Sequence, residues 1–177
     1  MTMNEHKKNW IADQISLWKT LEGKNVEVVG LQEPLDWKDP DDTVPIFQHP
    51  SILFQHLSMA FFKSSDGSCL KVMTAQDEDI FGLYILNEAV LKLVEGLVGL
   101  NCSGYIKTVD VKVCEDNIGK VELTYDSFTR ILTPGEVEPT HGGYIIRQMD
   151  ESVLIFDSQK DFERTKFGTE TDIDLTI

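Results

Sequence analysis

The spacing of apolar and polar positions changes period several times along the chain. Across residues 9–21, Ile11, Ile15 and Trp18 share one helical face, with Trp10, Gln14, Leu17 and Leu21 beside them and Gly23 as a stop. Residues 26–31 form a β-branched run and predict a strand. Residues 57–62 also suit a strand, although Pro50 could instead open a helix through Leu57 and Phe61. Ser65-Asp66-Gly67-Ser68 is a hairpin signal with residues 69–74 as its return strand, and the apolar run 80–86 adds a third strand to a meander. Asn87 is placed to cap a mid-chain helix whose stripe is Val90, Leu91, Val94 and Leu97, weakened and ended by Gly96 and Gly99.

Beyond that helix the period becomes two. Val109, Val111 and Val113 alternate with Asp110 and Lys112, and Val121, Leu123 and Tyr125 continue the alternation after a turn at 115–119. Residues 128–132 predict a further strand and 133–143 a Pro/Gly loop, before a tight hairpin of 144–149 with 152–156 across Asp150-Glu151. The tail from Glu163 is polar, but Ile173, Leu175 and Ile177 alternate as an edge strand would. The expected architecture is α+β: an antiparallel sheet of about eight or nine strands with two helices, one N-terminal and one mid-chain packing on the sheet.

One segment breaks these periods. Residues 32–50 hold Pro34, Pro40, Pro45 and Pro50, which exclude a regular helix and disfavour a central strand. With Trp37 and Phe47, the segment predicts an ordered surface loop of a length that is often functional.

Length and composition fit one domain spanning residues 1–177, with an apolar fraction of 41 %. Cys69, Cys102 and Cys114 are too few and too scattered for a disulfide framework or a zinc knuckle, and are expected as reduced thiols. No signal-like apolar run follows the charged N-terminal residues, and the most apolar stretch, 89–100, is short and carries Lys92 and Glu95. A soluble, cytoplasmic protein is expected.

Charge changes the picture most. Thirty acidic residues face sixteen Lys and Arg, giving a formal charge of -14. Nucleic acid and anionic membranes are therefore unfavourable partners, and a basic protein is a favourable one. The acid is uneven. The proline-rich loop carries Glu33, Asp36, Asp39, Asp41 and Asp42 against Lys38, and the turn Asp77-Glu78-Asp79 carries a second cluster. The N-terminal segment, with Lys7, Lys8, Lys19 and Lys24, is close to neutral. Trp37 is placed to anchor a partner beside the first cluster. Charged residues also favour turns for solvation alone, so each cluster has that simpler explanation.

Motifs add little. Asp77, Asp79, Gly82 and Glu88 occupy calcium-loop positions, but the intervening IFGLYIL offers no ligand at Phe81 and favours a strand. No metal or other cofactor is expected. His141-Gly142-Gly143 resembles an oxyanion loop, yet no nucleophile elbow accompanies it. Cys102 with His141 as base is the one conceivable thiol site, and an inert buried thiol is the simpler expectation. No catalytic residue is assigned.

Three classes follow. The first is an acidic binding protein whose loops capture a cationic partner. Small acidic immunity proteins that neutralise basic toxin domains, nucleases among them, form such a class. The second is a small hydrolase with a cysteine or carboxylate site. The third is a structural or regulatory subunit docking through a sheet edge.

Overall fold

The structure, a computed structural model, describes residues 5–38, 43–46, 49–77, 80–88, 95–114 and 117–173. Helix α1 (Glu5–Lys19) leads into β1 (Lys24–Gln32), a small hairpin of β2 (Leu35–Lys38) and β3 (Thr43–Ile46), and the meander β4 (Phe54–Ser64), β5 (Cys69–Asp77) and β6 (Ile80–Asn87). There follow β7 (Leu97–Gly99), β8 (Gly104–Cys114), β9 (Asn117–Tyr125), β10 (Thr129–Pro139), β11 (Gly143–Phe156), helix α2 (Gln159–Arg164) and β12 (Thr171–Asp172). Every pairing between named strands is antiparallel, so the α+β expectation holds, with more strands than expected.

The sheet closes on itself. β4 pairs with β1 along one edge, and its first residues, Phe54 to Leu57, pair with Phe156 to Val153 of β11 along the other. With β1–β8, β8–β9, β9–β10 and β10–β11, pairing runs through a closed circuit β4–β1–β8–β9–β10–β11–β4. Closure removes most of the free edges that invite aggregation. The interior is packed with side chains from every strand of the circuit, including Val28, Phe62, Val109, Leu123, Leu132 and Ile155. A second apolar cluster on the outer face joins Leu35, Phe54, Ile131, Val137, Leu154 and Phe156, with Phe162 of α2 packed against it. β11 feeds both: Val153 and Ile155 point inward while Leu154 and Phe156 point outward. Burial of both faces explains why residues 153–156 are continuously apolar.

Helix α1 seals an edge. Its buried Gln14 donates to the Ile85 carbonyl at 2.9 Å and accepts from the Ile85 N–H at 2.7 Å, standing in for a neighbouring strand on β6. Gln14→Leu would leave both backbone groups buried without partners, at about 1–3 kcal/mol for each unsatisfied group. Urea denaturation should show that loss, together with faster hydrogen exchange at the Ile85 amide.

Several expectations need correction. Residues 133–143 are not a loop, and 144–156 are not a hairpin: β10 and β11 are two long paired strands. Pro134 and Pro139 lie beyond Leu132, the last β10 residue paired to β9, where among the described residues β10 has a strand partner on one edge only and a missing N–H is tolerated. Asp150-Glu151 sits in a bulge between the Gly135–Ser152 and Glu136–Arg147 pairs. Part of the proline-rich loop forms the β2–β3 hairpin, in which Pro45 faces Asp36 in a sheet of its own. The polar tail includes α2, capped by the Ser158 side chain on the Asp161 N–H. The mid-chain helix expected from Asn87 falls on residues 89–94, outside the described residues, and Leu97–Gly99 at its far side pairs with β1. No helix among the described residues is long and apolar enough to cross a membrane.

Candidate functional site

The acidic clusters are only partly described. Asp39, Asp41, Asp42, Glu78 and Asp79 lie outside the described residues. For Asp36, Trp37 and Asp77 the backbone is placed: Asp36 faces Pro45, Trp37 faces Val44, and Asp77 faces Ile80. Asp77 pairs with Ile80 and β6 runs on to Asn87, so the described part of the calcium-loop spacing lies on two paired strands. Gly82 has a different purpose there. A Cβ on it would meet Asn117 Cβ at 3.0 Å and the Ile118 carbonyl oxygen at 3.1 Å, so β6 passes β9 closely enough that any side chain there would be crowded.

Glu33 is fully described and does not stand free. Its Oε2 accepts the Ser152 hydroxyl at 3.0 Å and lies 3.3 Å from His56 Nε2, and its backbone N–H donates to the His56 carbonyl. His56 Nε2 is also 3.0 Å from Ser152 Oγ. With the Ser152 proton directed to Glu33, the imidazole carries its proton on Nε2 and donates to Ser152 Oγ. Nδ1 is enclosed, with no hydrogen-bond partner among the described residues. A nucleophilic triad needs serine and carboxylate on opposite ring nitrogens. Here both meet Nε2, and Ser152 is 1 % exposed. The cluster is a polar clasp tying the end of β1 to β4 and β11.

The clasp has a pH signature. Burial lowers the His56 pKa from its ordinary 6.5, and the Glu33 carboxylate opposes that only in part. The unfolded chain therefore binds the proton more readily than the folded one. Stability from neutral His56 is present above about pH 6.5 and is lost as pH falls below it. Thermal midpoints measured from about pH 7 to pH 5 should fall, and His56→Gln should flatten the slope. Lower still, Asp66 and Glu22 lose theirs. The Ser68 hydroxyl and amide, with Lys24, hold Asp66 well below the usual carboxylate range, and the Val109 amide lowers Glu22.

Cys102, the thiol that the sequence made the candidate nucleophile, is poorly placed for chemistry. Cys102 is wholly buried, and desolvation pushes its pKa up to about 12, so a thiolate there is suppressed. Its carbonyl accepts the hydroxyl of buried Tyr125. Ile173 belongs to the second core, while Leu175 and Ile177 lie outside the described residues.

A cavity of about 460 Å³ opens at the end of the barrel where β4 begins and β11 finishes. Gln55, Asn101 and Asp157 line it, together with His49, Ile52 and Phe54. Gln55 Nε2 donates to Asn101 Oδ1 at 3.1 Å, and Asn101 Nδ2 donates to Asp157 Oδ1 at 3.1 Å. Arg130 braces this row from behind. Its guanidinium stacks 4.2 Å from the Phe128 ring and donates to the backbone carbonyls of Thr129, Asn101 and Asp157. Its Nε is 3.9 Å from Asp157 Oδ1.

No family model, curated protein or solved structure matches this chain. Of the pocket wall, sequence analysis flagged only the long loop that ends at His49 and Pro50. Gln55, Asn101 and Asp157 lie far apart in sequence and are gathered by barrel closure, which leaves no local motif.

Proposed function

We propose that this chain is an acidic binding protein that captures and neutralises a cationic protein, as an immunity protein does a basic toxin domain. The observation that carries this is the carboxylate surplus. Thirty acidic residues stand against sixteen Lys and Arg, so at least fourteen carboxylates lack a lysine or arginine of their own. A surplus of that size raises the local concentration of a positively charged partner and speeds encounter. The barrel interior is filled by its own side chains, which favours binding on the outside. The acidic loops are the natural contact: Asp36, Asp39, Asp41 and Asp42 with Trp37 as anchor, and Asp77, Glu78 and Asp79. Glu33, at the start of the first of these segments, contributes charge while engaged with Ser152.

The test is capture from an extract of the source cells by the immobilised full chain. A basic protein should be retained at low salt and released at high salt. Replacing Asp36, Asp39, Asp41 and Asp42 with Asn should abolish retention, whereas neutralising the exposed Asp126, Glu163 and Glu170 should not. Equal loss in both variants would mean that the named loops are not the contact.

A further inference from the structure

We infer that the cavity lined by Gln55, Asn101, Asp157 and Ile52 is a binding site for a small neutral polyhydroxylated molecule, a saccharide. This goes beyond the capture of a cationic protein and stands independently of it.

The volume comes first. About 460 Å³ lies within the roughly 300–1,000 Å³ typical of small-molecule sites. The polar wall comes next. Gln55 and Asn101 are carboxamides, which both donate and accept hydrogen bonds. Each bond along the row from Gln55 to Asn101 to Asp157 uses one proton of an amide, leaving the second N–H of Gln55 and of Asn101. Asp157 keeps its other carboxylate oxygen, on a side chain 52 % exposed. Two donors, from Gln55 and Asn101, and one acceptor, on Asp157, therefore remain along the row. Vicinal hydroxyls, each donor and acceptor at once, can accept from the two amides and donate to the carboxylate.

Rigidity supports the assignment. Arg130 holds the backbone carbonyls of both Asn101 and Asp157, so the two polar side chains project from a braced segment. Pre-organised polar groups bind with less entropic loss than mobile ones. Ile52, only partly buried, adds apolar surface to the same cavity for the C–H face of a sugar ring.

Charge selects against the alternatives. An anion is repelled by a chain of formal charge -14. A cation seeking Asp157 meets the Arg130 guanidinium, whose Nε already lies 3.9 Å from that carboxylate. A neutral ligand incurs neither repulsion.

The side-chain NH₂ resonances of Asn101 and Gln55 report the site directly. The full chain would be titrated with glucose, maltose, agmatine and citrate, and followed by ¹H–¹⁵N spectra. The expected result is a saturable shift of both NH₂ groups with at least one of the two sugars, with neither agmatine nor citrate moving them at the same concentration. The Gln55 shift should disappear in Asn101→Ala and in Asp157→Ala. Two variants are used so that one remains if the other fails to fold, as judged from its backbone spectrum. No saturable shift with either sugar, a tighter response to agmatine, or a sugar shift undiminished in a folded variant would each overturn the assignment. None of these outcomes depends on whether a protein partner is captured.

Discussion

Trp18→Ala is expected to lower stability by about 3–5 kcal/mol, the usual cost of deleting a fully buried indole. Trp18 has no exposed surface and meets Phe62 of β4 edge-to-face, with ring centroids 6.1 Å apart. It is the largest side chain that α1 sends into the main core, beside Leu21, Val26 and Val28. Natural domains have about 5–15 kcal/mol in total, so this loss would bring many near their threshold. Trp18→Phe should be far milder. The indole Nε1 has no hydrogen-bond partner among the described residues, so the lost N–H removes no bond and only part of the volume. Urea denaturation of the two variants decides the matter. Similar small losses for both would mean that α1 is an accessory to the barrel and not a stave of its core.

Gly82→Val should be equally damaging for the opposite reason. The new Cβ would press on Asn117 Cβ at 3.0 Å and on the Ile118 carbonyl oxygen and nitrogen at 3.1 and 3.2 Å. Two of those three atoms are backbone, and β9 is held in the closed circuit by β8 and β10. It cannot retreat as a flexible side chain would. Ordinary overpacking costs about 1–3 kcal/mol, and Gly82→Ala belongs in that range. The γ-methyls of valine should exceed it and depress the yield of folded protein. Gly99→Ala is the control: nothing lies within 4 Å of a Cβ there, so its effect should be slight. Equal tolerance at both positions would mean that β6 and β9 do not pass so closely.

These two positions also show what the sequence made legible. The stripe of Ile11 and Trp18 announced α1, and Gly23, with φ +76°, stops the chain after it. Ser65 to Ser68 announced the β4–β5 turn, where Asp66 Oδ1 accepts from both the Ser68 N–H and hydroxyl. Each signal is local, so a short window carries it. Gly82, by contrast, fitted a calcium loop in sequence because the strand it must pass, β9, lies more than thirty residues away. The β4–β11 pairing that closes the barrel joins residues still further apart, and the continuity of β11 was hidden by a polar Asp150-Glu151 pair that mimics a turn. Ser158 with Asp161 three residues on is a helix-start signal for α2, but the helix is only one turn and a half long. The pocket had no local signal at all, since Gln55, Asn101 and Asp157 meet only after closure. Charge was legible from the start because net charge needs no fold.

That charge is where the proposed function stands most exposed to test. With the captured basic protein in hand, the decisive quantity is its association rate with the full chain as ionic strength is raised. The Debye length shortens from about 30 Å at 0.01 M salt to about 8 Å at 0.15 M. Capture steered by the carboxylate surplus should therefore slow by about tenfold or more across that range, while the dissociation rate changes little. An association rate that stays constant with salt would contradict it.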